Sequence, residues 1–216
     1  NEGFATYCEN LTVEHLHPED WYDWKHGELI HLLYQSHNGS VYVDDTMNIN
    51  RIFDGTLTYT KGGYILHMLR MQIGDEAFFT GLNNLLLDVA NVSEFARGID
   101  VQTYLEEAAD TNLTEFFNDW YYGQGYPYYD IVYIQGESGL VELTINQNQT
   151  NETVDLFEMK IPIVFKGAND EEITKEFHHL VNGQTFTFNP GFEIEEVVFD
   201  PDLNILTIHD NVISVN

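Results

Sequence analysis

The chain has 216 residues, 43% of them hydrophobic, including 14 Phe, 13 Tyr and 3 Trp; this is ample for packed cores and excludes a disordered chain, and the length admits one large or two small domains. Thirty-six acidic against eight basic residues give a formal net charge of −28. A surface of that sign repels phosphate backbones and anionic lipid, so nucleic acid and membrane surfaces are excluded as partners, while the acidity itself speaks to solubility rather than to a substrate.

The single cysteine, Cys8, allows neither an intramolecular disulfide nor a cysteine zinc cluster. No run approaches the ~20 apolar residues of a membrane-spanning helix, and Asn1-Glu2-Gly3-Phe4 lacks the basic and apolar regions of a signal peptide. Acidity and scarce cysteine favour an exported protein. The absence of an initiator Met gives the expectation of a fragment of a longer protein.

Taken in chain order, Pro18 to Gln35 reads as a helix with Trp21, Trp24, Leu29, Leu32 and Leu33 near one side. Gly62 to Ile73 is apolar almost all round, the pattern of a helix buried on several sides, and Gly74 stops it. Asp75 is expected to cap the next helix, which runs to about Val89. A third segment spans Val101 to Ala109, and a fourth opens on Asn112 with Glu115 three residues on, a capping-box spacing, followed by the aromatic stripe Phe116, Phe117, Trp120 and Tyr121. Gly123, Gly125 and Pro127 end the helical part.

From Ile131 the period changes to two: Val141, Leu143 and Ile145 alternate with polar residues, as do Ile161, Ile163 and Phe165. Asn182-Gly183, between His179-Leu180-Val181 and Thr185 to Phe188, is a hairpin signal. Further strands are expected at Ile194 to Phe199 and Ile205 to His209. The fold class is therefore α+β: an all-helical lobe over residues 1–127 followed by a small β-sandwich domain over 128–216.

Nine histidines invite a metal search. His26 and His31 flank Glu28 in a run that resembles a zinc helix, but they are five apart, about 140° around a helix, and cannot share one ion. His15 and His17 lie beside acidic residues at a helix start, and His178 and His179 point to opposite faces of a strand; both pairs read as structural or solvated. The Asn-x-Ser/Thr triplets, such as those at Asn10 and Asn148, are what a chain rich in Asn and Thr produces by chance.

Four blocks carry a family resemblance: Asn1-Glu2-Gly3-Phe4-Ala5-Thr6-Tyr7; Tyr59-Thr60-Lys61-Gly62-Gly63; Gly74-Asp75-Glu76-Ala77-Phe78-Phe79 with Gly81-Leu82; and Phe116-Phe117-Asn118-Asp119-Trp120 followed by Gly125-Tyr126-Pro127. In this order they resemble the aminopeptidase N and leukotriene hydrolase family of zinc metallopeptidases, the gluzincins. The resemblance implies Glu2 as the third zinc ligand and Tyr59 as the catalytic tyrosine that contacts the scissile carbonyl. Lys61 reads as structural or surface. Gly3 and Ala5 are expected to let the helix bearing Glu2 pack closely on its neighbour.

The family's His-Glu-x-x-His and Gly-x-Met-Glu-Asn segments do not occur in these 216 residues. The expectation is thus the C-terminal part of a zinc aminopeptidase acting on peptides, partnered by the N-terminal remainder of the same protein, and inactive and without retained zinc alone. A non-catalytic β-sandwich binding or scaffold module with a helical lobe is the alternative from another class, and an inactive family member a third. If Glu2 and Tyr59 serve one carbonyl, carboxylate and phenol must lie within about 10 Å of each other.

Overall fold

The computed structural model describes residues 1–92, 95–208 and 212–214, the side chains of 90–92 and 212–214 excepted. Helices fill the first part: α1 (Glu2–Leu16), α2 (Trp21–Gln35), a short α3 (Ile49–Ile52), a π-helix (Gly55–Lys61) that runs straight into α4 (Gly62–Ile73), α5 (Asp75–Val92), α6 (Gly98–Ala109), and α7 (Thr114–Phe116), continued by a second π-helix (Phe117–Tyr122). Strands follow: β1 (Pro127–Gln135), β2 (Val141–Gln149), β3 (Met159–Lys166), β4 (Glu172–His179), β5 (Gln184–Phe188), β6 (Glu196–Phe199) and β7 (Val212–Ser214). The class is α+β, with the change of period at Pro127.

Burial explains α4. Every residue from Gly62 to Arg70 is buried, because α1 lies on one side of it and the second π-helix and the strand region on others. Gly74, at φ 84°, ends it in a conformation that L side chains rarely adopt. Asp75 does not cap α5 as expected; it is that helix's first residue, and its carboxylate is drawn to Arg70. The guanidinium donates through Nε and Nη2 to the two Asp75 oxygens at 2.8 and 2.9 Å and through Nη1 to Glu14 at 2.6 Å, tying α1, α4 and α5 together. That pairing holds the Asp75 carboxyl below its ordinary range.

The capping box expected at Asn112 is also absent. Asn112 Oδ1 accepts from Thr114 N–H at 2.9 Å, but Leu113 N–H donates to Glu106 of α6 at 2.7 Å, so the short α7 is held by the preceding helix. His15 and His17 close α1 rather than open a helix.

The strands form two sheets, ordered β5-β2-β1-β7 and β4-β3-β6. All pairings are antiparallel except β1 with β7. The sheets share a core of Phe165, Phe177, Phe186 and Phe188, with ring centroids 4.8 Å apart for Phe165–Phe188 and 5.0 Å for Phe177–Phe186. The hairpin expected at Asn182-Gly183 does not form: β4 pairs with β3 and β5 with β2, so the turn crosses from one sheet to the other. Asn182 directs it, since its side chain both accepts from Gln147 N–H at 2.8 Å and donates to Gln147 O at 3.0 Å on β2. The strand expected at 205–209 is likewise not seen over 205–208, and His209 lies outside the described residues. Asp200 accepts the backbone N–H groups of Asn204 and Ile205 at 2.9 and 2.8 Å, which turns the chain out of sheet geometry.

Helices and strands are joined by contacts of both kinds. One hydrophobic core runs from Tyr7 and Leu29 through Trp120 to Ile161, and the Trp120 and Phe157 rings lie 4.5 Å apart. Around it, Tyr64 Oη donates to Leu203 O at 2.7 Å, Lys160 Nζ donates to Gln72 O at 2.8 Å, and Asp119 accepts from Glu158 N–H at 3.0 Å. Asp119 is buried, which pushes its carboxyl up to about 7.

The tightest contact is between α1 and α4. A Cβ on Gly3 would lie 2.8 Å from Gly62 C, and one on Gly63 would lie 2.9 Å from Thr6 Cγ2. Ala5, expected at this contact, is exposed, and Thr6 takes its place.

Two stability predictions follow from these contacts. Gly3→Ala puts a methyl into backbone atoms that cannot rotate aside, and should lower the unfolding free energy by about 1–3 kcal/mol in urea titration, whereas Ala5→Gly on the solvent side of the same helix should lower it by only about 0.5–1 kcal/mol. Asp119 gains its proton near pH 7 when folded but only near ~4 when unfolded, so the folded state binds more protons between those values and stability falls as pH rises through that window. Asp119→Asn keeps the acceptor for Glu158 and has no charge to bury. It should exceed the parent in stability by about 1–3 kcal/mol at pH 7 and lose that advantage by pH 4.

Candidate active site

Three pieces of backbone bring the candidate residues together. Asn48 Oδ1 accepts from Asn50 and Arg51 N–H and so starts α3. Asp54 Oδ1 accepts from Thr56 and Leu57 N–H at 3.0 and 2.7 Å and so starts the π-helix carrying Tyr59. Arg51 fastens the segment before it, donating through Nη2 to Ser40 O and Tyr42 O at 2.7 and 2.6 Å and through Nη1 to Thr58 Oγ1 at 3.3 Å. From α2, His31 Nε2 lies 3.1 Å from Thr56 Oγ1. A π-turn widens the helix by one residue and is common where a side chain is aimed at a site. No periodicity in the sequence signals this one.

Glu2 opens α1 and is half-buried; Asn1 Nδ2 donates to its Oε1 at 2.8 Å. Since Gly3 rests on Gly62, three residues beyond Tyr59, the carboxylate comes beside the phenol. Desolvation first, and then the nearby Glu2 carboxylate, raises the Tyr59 hydroxyl above its ordinary value. The phenol therefore keeps its proton at neutral pH and is a donor. Glu2 is thus near enough to Tyr59 to act on its hydroxyl.

Lys61 is not a surface residue. Its side chain is fully buried, with Nζ donating to Gly125 O at 2.8 Å and standing 3.4 Å from Gly39 O. Burial pushes the amine down to about 7. The sequence signal for this was its place between an active-site candidate and a glycine pair; its burial could not be read from an otherwise polar segment.

Beside the π-helix, Asp23, Trp24, Gly27, Glu28, His31 and Thr60 line an open cleft. Buried Asn10 joins α1 to it, accepting from Trp24 Nε1 at 3.0 Å and donating to Glu28 at 2.9 Å. Burial pushes the Glu28 carboxyl up to about 7.

Among the described residues, the one group of three side chains able to close on an ion is His17, Glu19 and Asp20, all exposed; it follows the far end of α1, a helix about 22 Å long, from Glu2. Glu2 belongs to no such group of three among the described residues. The described residues therefore place no three-ligand group of the kind a catalytic zinc needs around Glu2. The His26 ring stacks on Tyr22 with centroids 6.4 Å apart, and His31 Nε2 is taken up by Thr56.

Comparison with known proteins bears on the whole arrangement. The chain is 34% identical over 155 residues to "Aminopeptidase N" of Lactobacillus delbrueckii subsp. lactis, which covers 68% of this chain and 18% of that protein. It is 27% identical over 232 residues to "Aminopeptidase N" of Lactobacillus helveticus, covering 99% of this chain and 26% of that one. The chain thus spans about a fifth of the length of the curated relatives it matches. Its fold is similar to the crystal structure of Legionella pneumophila aminopeptidase A in complex with aspartic acid, with a TM-score of 0.68 at 15% identity, covering 100% of this chain and 24% of that one. The model of the Peptidase family M1 domain matches residues 1–120, the stretch that holds both Glu2 and Tyr59, and so this chain belongs to peptidase family M1.

Proposed function

We propose that the chain is the C-terminal part of a zinc-dependent aminopeptidase that removes N-terminal residues from peptides, with Glu2 as one zinc ligand and Tyr59 as a catalytic residue. The observation that carries this reading is that the Glu2 carboxylate is close enough to the Tyr59 phenol to raise its pKa, in a chain of the M1 family. Zinc, when bound with the help of ligands from outside these residues, would supply Lewis acidity and an activated water.

What this chain adds is positioning and a proton donor. Tyr59, protonated at neutral pH, donates to the scissile carbonyl oxygen as that oxygen gains negative charge, a contribution of roughly 3–4 kcal/mol for one well-placed donor. Gly3 and Gly62 fix the distance between that donor and Glu2. The same reading takes residues 1–127 as the helical lobe of the catalytic domain and 128–216 as a β-sandwich domain, with the N-terminal remainder of the protein as their partner.

Alone, the 216-residue protein should neither retain stoichiometric zinc after dialysis nor cleave an aminoacyl anilide, because one carboxylate cannot hold the ion against water. In the enzyme that includes the His-Glu-x-x-His helix, Tyr59→Phe should lower kcat by ~10²–10³ with zinc content unchanged, while Glu2→Ala should lose the metal. A Tyr59→Phe enzyme with parental kcat would refute the role of Tyr59.

A further inference from the structure

Lys61 is buried, and among the described residues its ammonium bonds to backbone carbonyls rather than to an acid. Its donors go to two backbone carbonyls far apart in sequence: Gly125, two residues before the first strand, and Gly39, in the loop after α2. Both carbonyls belong to segments fixed in turn by other bonds. Gly39 N–H donates to Gln124 at 2.9 Å, Gln124 N–H donates to Thr153 at 3.0 Å, and Tyr126 N–H donates to Thr150 at 3.0 Å. The ammonium therefore meets a rigid wall.

Lys61 is also the last residue of the π-helix that carries Tyr59, and Gly62, the next, is pressed by Gly3. Two positions apart on a helical turn, Tyr59 and Lys61 point to roughly opposite sides. The turn is thus gripped from behind by the Lys61 bonds and from the front by the helix that presents Glu2. A π-turn does not keep its own geometry as an α-turn does and persists where its surroundings impose it.

We propose that Lys61 is a positioning residue: its buried ammonium, bonded to the Gly125 and Gly39 carbonyls, fixes the rotation of the π-turn and so holds the Tyr59 hydroxyl against Glu2. The consequence for turnover rests on the aminopeptidase reading; the geometric claim does not.

The test uses the 216-residue chain with its tyrosine rings isotopically labelled and the Tyr59 signal identified by its loss in Tyr59→Phe. In Lys61→Met, which keeps the apolar stem, the Tyr59 ring signal should move to the position of a solvent-exposed tyrosine. The amides of Thr58 to Lys61 should exchange about tenfold faster, while the sandwich tyrosines Tyr129 and Tyr133 stay in place. The charge is then restored without a natural lysine: in a Cys8→Ser background, Lys61→Cys is alkylated with 2-bromoethylamine while unfolded and refolded, which should return the Tyr59 signal and the slow exchange. An unmoved Tyr59 signal in folded Lys61→Met, or no return after alkylation, overturns the proposal. If Lys61→Met does not fold, Lys61→Gln is read in the same way, and failure of both to fold assigns Lys61 to global stability and overturns it too. None of these readings needs zinc or turnover, so the proposal can fail while the aminopeptidase reading stands, and the reverse.

Discussion

The backbone contact of Gly3 with Gly62 is the constraint from which the rest of the helical part takes its positions. With no side chain on either residue, α1 and α4 approach until a single added methyl would collide with main-chain carbon. Backbone atoms cannot swing away as side chains can, so the contact fixes the relative depth of the two helices to a few tenths of an ångström. Glu2 precedes one of these glycines and Tyr59 stands three residues before the other. Two side chains distant in sequence become neighbours because the glycines between them and the contact leave no slack. Arg70 secures the other end of the same helix pair through Glu14 and ties it to α5 through Asp75.

Charge is distributed by the same logic. All eight basic residues have structural work: Lys25 donates to Asp202 O, Lys61 to Gly125 O, Lys160 to Gln72 O, and Lys175 lies over Phe188. Arg51, Arg70, Arg97 and Lys166 each pair with a carboxylate. The 36 acidic residues so outnumber these eight cations that the formal net charge is −28. Among the described residues no helix is long and apolar enough to cross a membrane.

Between helices and strands the joints are polar as well as apolar. Asp119, Gln72 and Tyr64 each reach backbone groups of the strand region. A buried donor or acceptor left without a partner is costly, so these bonds set the register of one part on the other more sharply than the tilted Trp120–Phe157 ring contact could.

The sequence by itself determined the helical and strand periods, the change at Pro127, the α+β class and the resemblance that singled out Glu2 and Tyr59. These follow from local pattern: a helix buried all round must be apolar all round, and alternation marks a half-buried strand. It also placed a glycine where α1 and α4 meet. Only the tertiary structure decided what depends on partners distant in the chain. Asp75 left its cap for Arg70, Asn182-Gly183 gave up a hairpin because Asn182 found Gln147 on the other sheet, and Lys61, polar by type, went inside because two glycine carbonyls were there to receive it. Turn and cap preferences are worth about 1 kcal/mol each, and a pair of hydrogen bonds to a buried or rigid partner outweighs that, so the local signal yields wherever such a partner exists.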